Sequence, residues 1–176
     1  MLVKILIAVV IVVLGLAAFI ATRPAEFRVT RTATFAAPAP AVFAQVNELR
    51  KWEAWSPWAK KDPQMKQAYA GPAAGAGAVA SWVGNKDVGE GRMSIVESRP
   101  AELIRFKLEF FKPFAATNNA EFTFKEQGGR TAVSWSMSGR NNFVGKAMSV
   151  VFDFDKMIGA DFEAGLASLK TIVDKK

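Results

Sequence analysis

The 176-residue chain contains no cysteine and no histidine, and Tyr69 is its single tyrosine. Without cysteine there is no disulfide framework, no thiolate metal site and no cysteine nucleophile. Without histidine there is no Ser–His–Asp triad and no imidazole ligand for a metal. No metal and no cofactor are therefore expected. Internal repeats and low-complexity tracts are missing as well. Lys and Arg outnumber Asp and Glu by 23 to 16, a formal charge of +7, but this charge is not gathered into a block. Its densest points are Arg50-Lys51 and Lys60-Lys61, with no basic stripe and no aromatic platform of the kind that grips RNA, so nucleic acid is not an expected partner.

One long apolar run dominates the N-terminus. Residues 5–22 carry no charge and are bracketed by Lys4 and Arg23. As a helix this run would be roughly 27 Å long, close to the thickness of the hydrocarbon core. It shows no polar face at helical spacing, which a soluble core helix would. An uncleaved signal-anchor over 1–23 is the expectation. A cleaved signal is the competing reading, with Gly15-Leu16-Ala17 as its small-residue site, although the run continues beyond it through Phe19 and Ile20. The counts of positive charge on the two flanks do not decide orientation. A four-residue tail bearing Lys4 favours a single-pass membrane protein with its domain outside the cytoplasm.

Residues 24–176 are expected to form one domain, which at this length buries roughly 70% of its unfolded surface. Beyond Arg23 the pattern changes to period two. Val29, Arg31, Ala33 and Phe35 share one face of a first strand. Pro38 and Pro40 open a helix carrying Val42, Phe43, Val46 and Leu49, which Ser56-Pro57 is expected to end. From about Gln64 to Gly139 turn signals separate six alternating strands; Ile104, Phe106, Leu108 and Phe110 face one way, Arg105, Lys107 and Glu109 the other. From Asp155 the stripe Ile158, Phe162, Leu166, Leu169 and Val173 predicts a long amphipathic helix. The order predicts an α+β domain, a curved antiparallel sheet of about seven strands packed on one long C-terminal helix.

Four constellations invite chemical readings. Trp52, Trp55 and Trp58 crowd a helix end; they either pack it onto the sheet or line the mouth of a cavity. Gly75-Ala76-Gly77-Ala78-Val79-Ala80 fits the dinucleotide pattern, but Ser81-Trp82-Val83 after it reads as a strand where a helix is needed. Asp153, Asp155, Asp161 and Glu163 suit the N-terminal turns of the last helix, and Glu97, Glu102, Glu109 and Glu121 alternate with apolar residues and face water, so no acid–base pair stands out. Residues 145–152 form a short apolar stretch that either packs or acts as a lid.

Several of these segments, in order, resemble the SRPBCC group of the helix-grip superfamily, which includes START lipid-transfer domains and polyketide cyclases. The likeness rests on Ala37-Pro38 with Val42-Phe43, Trp52-x-x-Trp55-Ser56-Pro57-Trp58, Lys112-Pro113-Phe114 and Thr117 to Phe122. It continues in Val133 to Gly139 and in Asp155 to Gly159 running into Asp161-Phe162, Gly165-Leu166 and Leu169-Lys170. It covers about residues 26–173. The resemblance implies a helix-grip fold with a deep cavity between the sheet and the last helix, suited to an apolar or aromatic small molecule. Cyclases of this superfamily use pocket Arg, Tyr or His groups. Here there is no histidine and Tyr69 lies beside a glycine-rich loop, so no catalytic residue is carried over.

The expected function is that of a membrane-anchored binding domain for a lipid or other hydrophobic small molecule. Its cavity would be lined by Trp82, Phe106, Leu108, Phe122, Phe124, Trp135 and Met137 from the sheet and by Phe162, Gly165 and Leu169 from the helix, with Trp55 near the mouth. The alternatives are a cyclase- or dehydratase-like enzyme acting on an apolar substrate, and a protein-interaction module marked by an exposed apolar patch. No protein partner is indicated.

Overall fold

The structure, a computed structural model, describes residues 1–174. An apolar helix α1 (Leu2–Thr22) leads into strand β1 (Glu26–Phe35), helix α2 (Ala39–Asn47), a 3-10 turn (Leu49–Ala54) and helix α3 (Pro57–Lys61). Six strands follow: β2 (Lys66–Ala70), β3 (Val79–Val83), β4 (Glu90–Arg99), β5 (Leu103–Lys112), β6 (Ala116–Gln127) and β7 (Arg130–Arg140). Helices α4 (Phe143–Val151) and α5 (Phe154–Val173) complete the chain. The seven strands form one antiparallel sheet in the order β1-β7-β6-β5-β4-β3-β2. The α+β, helix-grip-like architecture expected from the sequence is present.

One local expectation needs correction. Ser56-Pro57 does not close the helical segment. Helix α2 already ends at Asn47, and Pro57 occupies the first turn of α3, where its missing N–H costs nothing because that donor has no helical partner. The stretch 145–152 is largely helical, in α4, whose N-cap Asn142 accepts a bond of 2.9 Å from the Gly145 N–H. The tryptophans explain how the chain turns between α2 and α3. The last carbonyls of α2 lack helical partners; the Trp52 indole donates to the Val46 carbonyl at 2.9 Å and that of Trp55 to the Gln45 carbonyl at 3.3 Å.

Helix α5 lies across the inner face, packed on β1 and the α2–α3 segment. Two glycines allow the approach. A Cβ at Gly165 would come within 2.8 Å of the Trp135 ring and 3.1 Å of Pro57, and a Cβ at Gly159 would overlap the Arg31 guanidinium. This accounts for the mixed first face of β1. Arg31 points inward at the sheet edge, crosses beneath Gly159, and pairs with Asp155 at 3.0 Å and Glu163 at 2.7 Å. On the outer face of β4–β6, Arg105 bridges Glu97 and Glu121, and Arg92 and Lys107 hold Glu109.

The Arg31 hydrogen bonds hold the Asp155 carboxyl below its ordinary value. A carboxylate lowered on folding stabilises the fold above its unfolded pKa of about 4, and that contribution is lost as pH falls through the lower folded value. Asp155→Asn should therefore melt below wild type at pH 6, and the gap should close as pH falls below about 4. Melting curves across that range check it; a constant gap would contradict the pairing.

Candidate functional site

The antiparallel register arranges the inward side chains in cross-strand rows, because residues directly opposite each other point to the same face. One row joins Ile104, Phe122, Trp135 and Arg31. The next joins Ile95, Phe106, Ala120, Met137 and Val29. Then come Ala80, Met93, Leu108, Asn118, Gly139 and Phe27, and finally Trp82, Gly91, Phe110 and Ala116. Size changes along this series. The rows toward the β6–β7 hairpin carry large rings and branched chains. Those toward the α1 end carry Ala120, Asn118, Gly139, Ala80, Gly91 and Ala116.

Two physical outcomes follow. At the hairpin end the face is filled. Trp52 packs edge-on against Phe106, Phe122 and Trp135 with ring centroids 5.5–5.9 Å apart, and Trp55 lies against Trp52 at 4.4 Å. Phe43 meets Phe124 edge-on at 5.5 Å. At the α1 end the small residues leave a hollow of about 750 Å³, within the range of small-molecule sites, about 300–1,000 Å³. Its walls are mainly apolar. Trp82, Met93, Leu108 and Phe110 form one side, Ile158 and Phe162 of α5 the other, and Val144, Gly145 and Met148 of α4 stand at the opening with Phe114 of the β5–β6 loop.

Glycine permits two of these placements. A Cβ at Gly91 would approach the Trp82 ring to 2.5 Å, and a Cβ at Gly139 would overlap the Asn118 amide oxygen. Trp82 lies over Gly91 and donates to the Val88 carbonyl at 3.3 Å. Asn118 and Ser56 are the buried polar side chains of the lining, and Asn118 sits where an amide could orient the polar end of a guest. The ionisable residues of the lining are Asp87, Arg140 and Asp161, on three separate elements, and Asp161 pairs with Lys61 at 2.6 Å. Tyr69 lies outside the hollow; burial, with a 2.6 Å bond to Glu53, raises its phenol above the usual range.

Residues 26–174 match the family model described as "Polyketide cyclase / dehydrase and lipid transport". The chain belongs to that family. No curated protein matches it in sequence. Among solved structures, CV1439 from Chromobacterium violaceum superposes with a TM-score of 0.60 at 14% identity, over 85% of this chain and 96% of its own. MLL2253 from Mesorhizobium loti gives 0.62 at 12% identity, over 85% and 98%. The di-domain ARO/CYC StfQ of the steffimycin biosynthetic pathway gives 0.62 at 10% identity, over 86% of this chain and 51% of StfQ. At these identities the likeness is one of fold.

Within this family member the residues expected around a ligand divide into two groups. Trp82, Leu108, Trp135, Met137 and Phe162 stand on the wall of the hollow. Phe106, Phe122, Phe124, Gly165 and Leu169 belong to the filled half and do not reach it, and Trp55, expected near the mouth, is fully buried beneath Trp52. Trp52 and Trp58 line the hollow instead. Trp58 sets its edge against both members of the Trp135–Phe162 stack, whose centroids are 4.0 Å apart. Asn118, Ala120, Met93, Phe110, Phe114 and Ile158 also stand on the wall, although none was among the expected cavity residues, and Met148 lies on it within the 145–152 stretch read as packing or a lid. The signal that could have found several of them was the run of small inward residues at 80, 91, 116, 120 and 139.

Proposed function

We propose that the chain is a membrane-anchored binding protein for a single apolar small molecule, a lipid or similar guest. In this reading residues 1–23 are the anchor, and residues 24–176 the binding domain, facing away from the cytoplasm. The observation that carries the proposal is the apolar hollow between the sheet and α5, floored by small residues and bearing one buried amide at Asn118. The family's description, which includes lipid transport, supports the ligand class. Helix α1 supports the anchor. It has 21 residues, a mean hydropathy of 3.1 over its most apolar window and no buried side chain. At 1.5 Å per residue it is roughly 31 Å long, enough to cross the hydrocarbon core.

The protein's part in such binding is physical. An apolar guest leaves water for walls already shaped by Trp82, Leu108, Met137 and Phe162, at about 25 cal/mol per Å² of apolar surface removed from water. The Trp135–Phe162 stack and the Trp52 plug hold those walls in place, so little ordering cost remains on binding. A diazirine-bearing palmitate, irradiated with the full-length chain in detergent micelles, should label wall peptides from β4, β5 and β7 and compete with unlabelled palmitate. Labelling confined to α1, or labelling without competition, would remove the proposal.

A further inference from the structure

The hollow, its opening and the end of α1 all lie at one end of the sheet. In the antiparallel register Glu26 of β1 pairs with Arg140 of β7, Gly139 with Asn118 of β6, and Ala116 with Phe110 of β5. The first residue after the helix linker, the last residue of β7 and the β5–β6 loop are therefore neighbours along one edge. The β6–β7 hairpin is at the opposite edge, with Phe35 of β1 facing Thr131.

That same end carries an apolar collar that none of the described residues covers. Phe114 of the β5–β6 loop is 60% exposed, Val144 52% and Val151 of α4 76%; Phe143 and Phe152 are about half exposed. A monomeric soluble surface rarely gathers side chains of this kind side by side. Phe114 and Val144 also stand at the opening of the hollow. Helix α4 touches α1, and the Lys146 ammonium donates to the Ala21 carbonyl at 2.9 Å, occupying one of the free acceptors at the end of α1. Arg23, Arg140 and Lys146 bring positive charge to the level where α1 ends.

We propose that this collar is a bilayer-docking surface: α4 and the β5–β6 loop sink their apolar side chains into the membrane that holds α1, so that the hollow opens toward lipid. The inference rests on reading α1 as a membrane anchor. The occupant is a bilayer because the collar is continuous with α1 through the α4 contact and Lys146, and because apolar tips beside basic residues are what an interfacial helix presents to headgroups and acyl chains. Access through such a mouth would let an apolar guest pass between membrane and protein without crossing water.

The chain's lack of cysteine supplies the test, since single-cysteine variants carry no background. Phe114→Cys, Phe152→Cys, Gln127→Cys and Val10→Cys of the full-length chain would each be labelled with an environment-sensitive fluorophore. Each is then reconstituted into vesicles of phosphatidylcholine with phosphatidylglycerol. Quenching is compared between doxyl-labelled acyl chains and a water-soluble nickel chelate. The expected result is lipid quenching at 114 and 152 severalfold stronger than at 127 in the distal hairpin, with position 10 deep in lipid. Positions 114 and 152 as water-accessible as 127, with position 10 still in lipid, would overturn the docking surface and leave the anchor standing. Shielding at 114 and 152 from both quenchers would overturn it too, in favour of a protein partner. Water access at position 10 would overturn both readings.

Discussion

Phe106→Asp should leave the domain without a stable fold, while Leu108→Asp, two residues along the same strand and on the same face, should leave it folded. The two positions lie on opposite sides of the boundary between filled core and hollow. Phe106 is fully buried, with Trp52 edge-on at 5.5 Å, Phe122 at 6.0 Å and Ile95 opposite on β4. Removing a buried Phe costs about 3–5 kcal/mol. Placing an unpaired carboxylate in a water-free site adds several kcal/mol more, against a total stability of about 5–15 kcal/mol. Leu108 is only partly buried and faces a space that water can enter, so a carboxylate there keeps much of its hydration. Far-UV circular dichroism and limited proteolysis of the two full-length variants would show the contrast. Equal behaviour would mean that the hollow does not begin between these two positions.

Ala120→Trp should keep the fold and lose the guest. Ala120 is opposite Phe106 on one side and Met137 on the other, on the floor of the hollow. An indole there has space ahead of it, and would bury on the order of 200 Å² against the walls that a ligand would otherwise cover. The same enlargement at Val133, fully buried in the filled half, has no such space, and overpacking there costs typically about 1–3 kcal/mol. Ala120→Trp should therefore melt near the wild-type temperature and lose most competable labelling by diazirine palmitate, while Val133→Trp melts lower. A folded Ala120→Trp that labels as well as wild type would place the guest elsewhere.

Much of the fold was legible because local pattern and tertiary role agree. The alternation in β5 to β7 survives in the structure since one face meets a helix and the other meets water, where its charges pair across strands. The stripe from Ile158 to Val173 survives because α5 buries a single face. Arg31 broke the pattern of β1 for a reason that only packing reveals: its inward position is occupied by an ion pair under a glycine of α5. Period-two reading told which side chains point inward but not how deep each lies along its strand. Depth is set by register and by what the Trp52–Trp55 plug fills, so Phe122 and Phe124 read like wall residues although they are core. Helix α4 hid for a related cause. With no buried side chain, its apolar residues are accounted for neither by the sheet nor by α5.

The binding role depends on one apolar molecule occupying the hollow, and native mass spectrometry of the full-length chain released from mild detergent reads that occupancy directly. The wild-type protein should carry a single apolar adduct in one-to-one ratio, and Ala120→Trp prepared identically should not. A wild-type spectrum of bare protein that stays bare after incubation with palmitate, or equal adducts on both proteins, would contradict it.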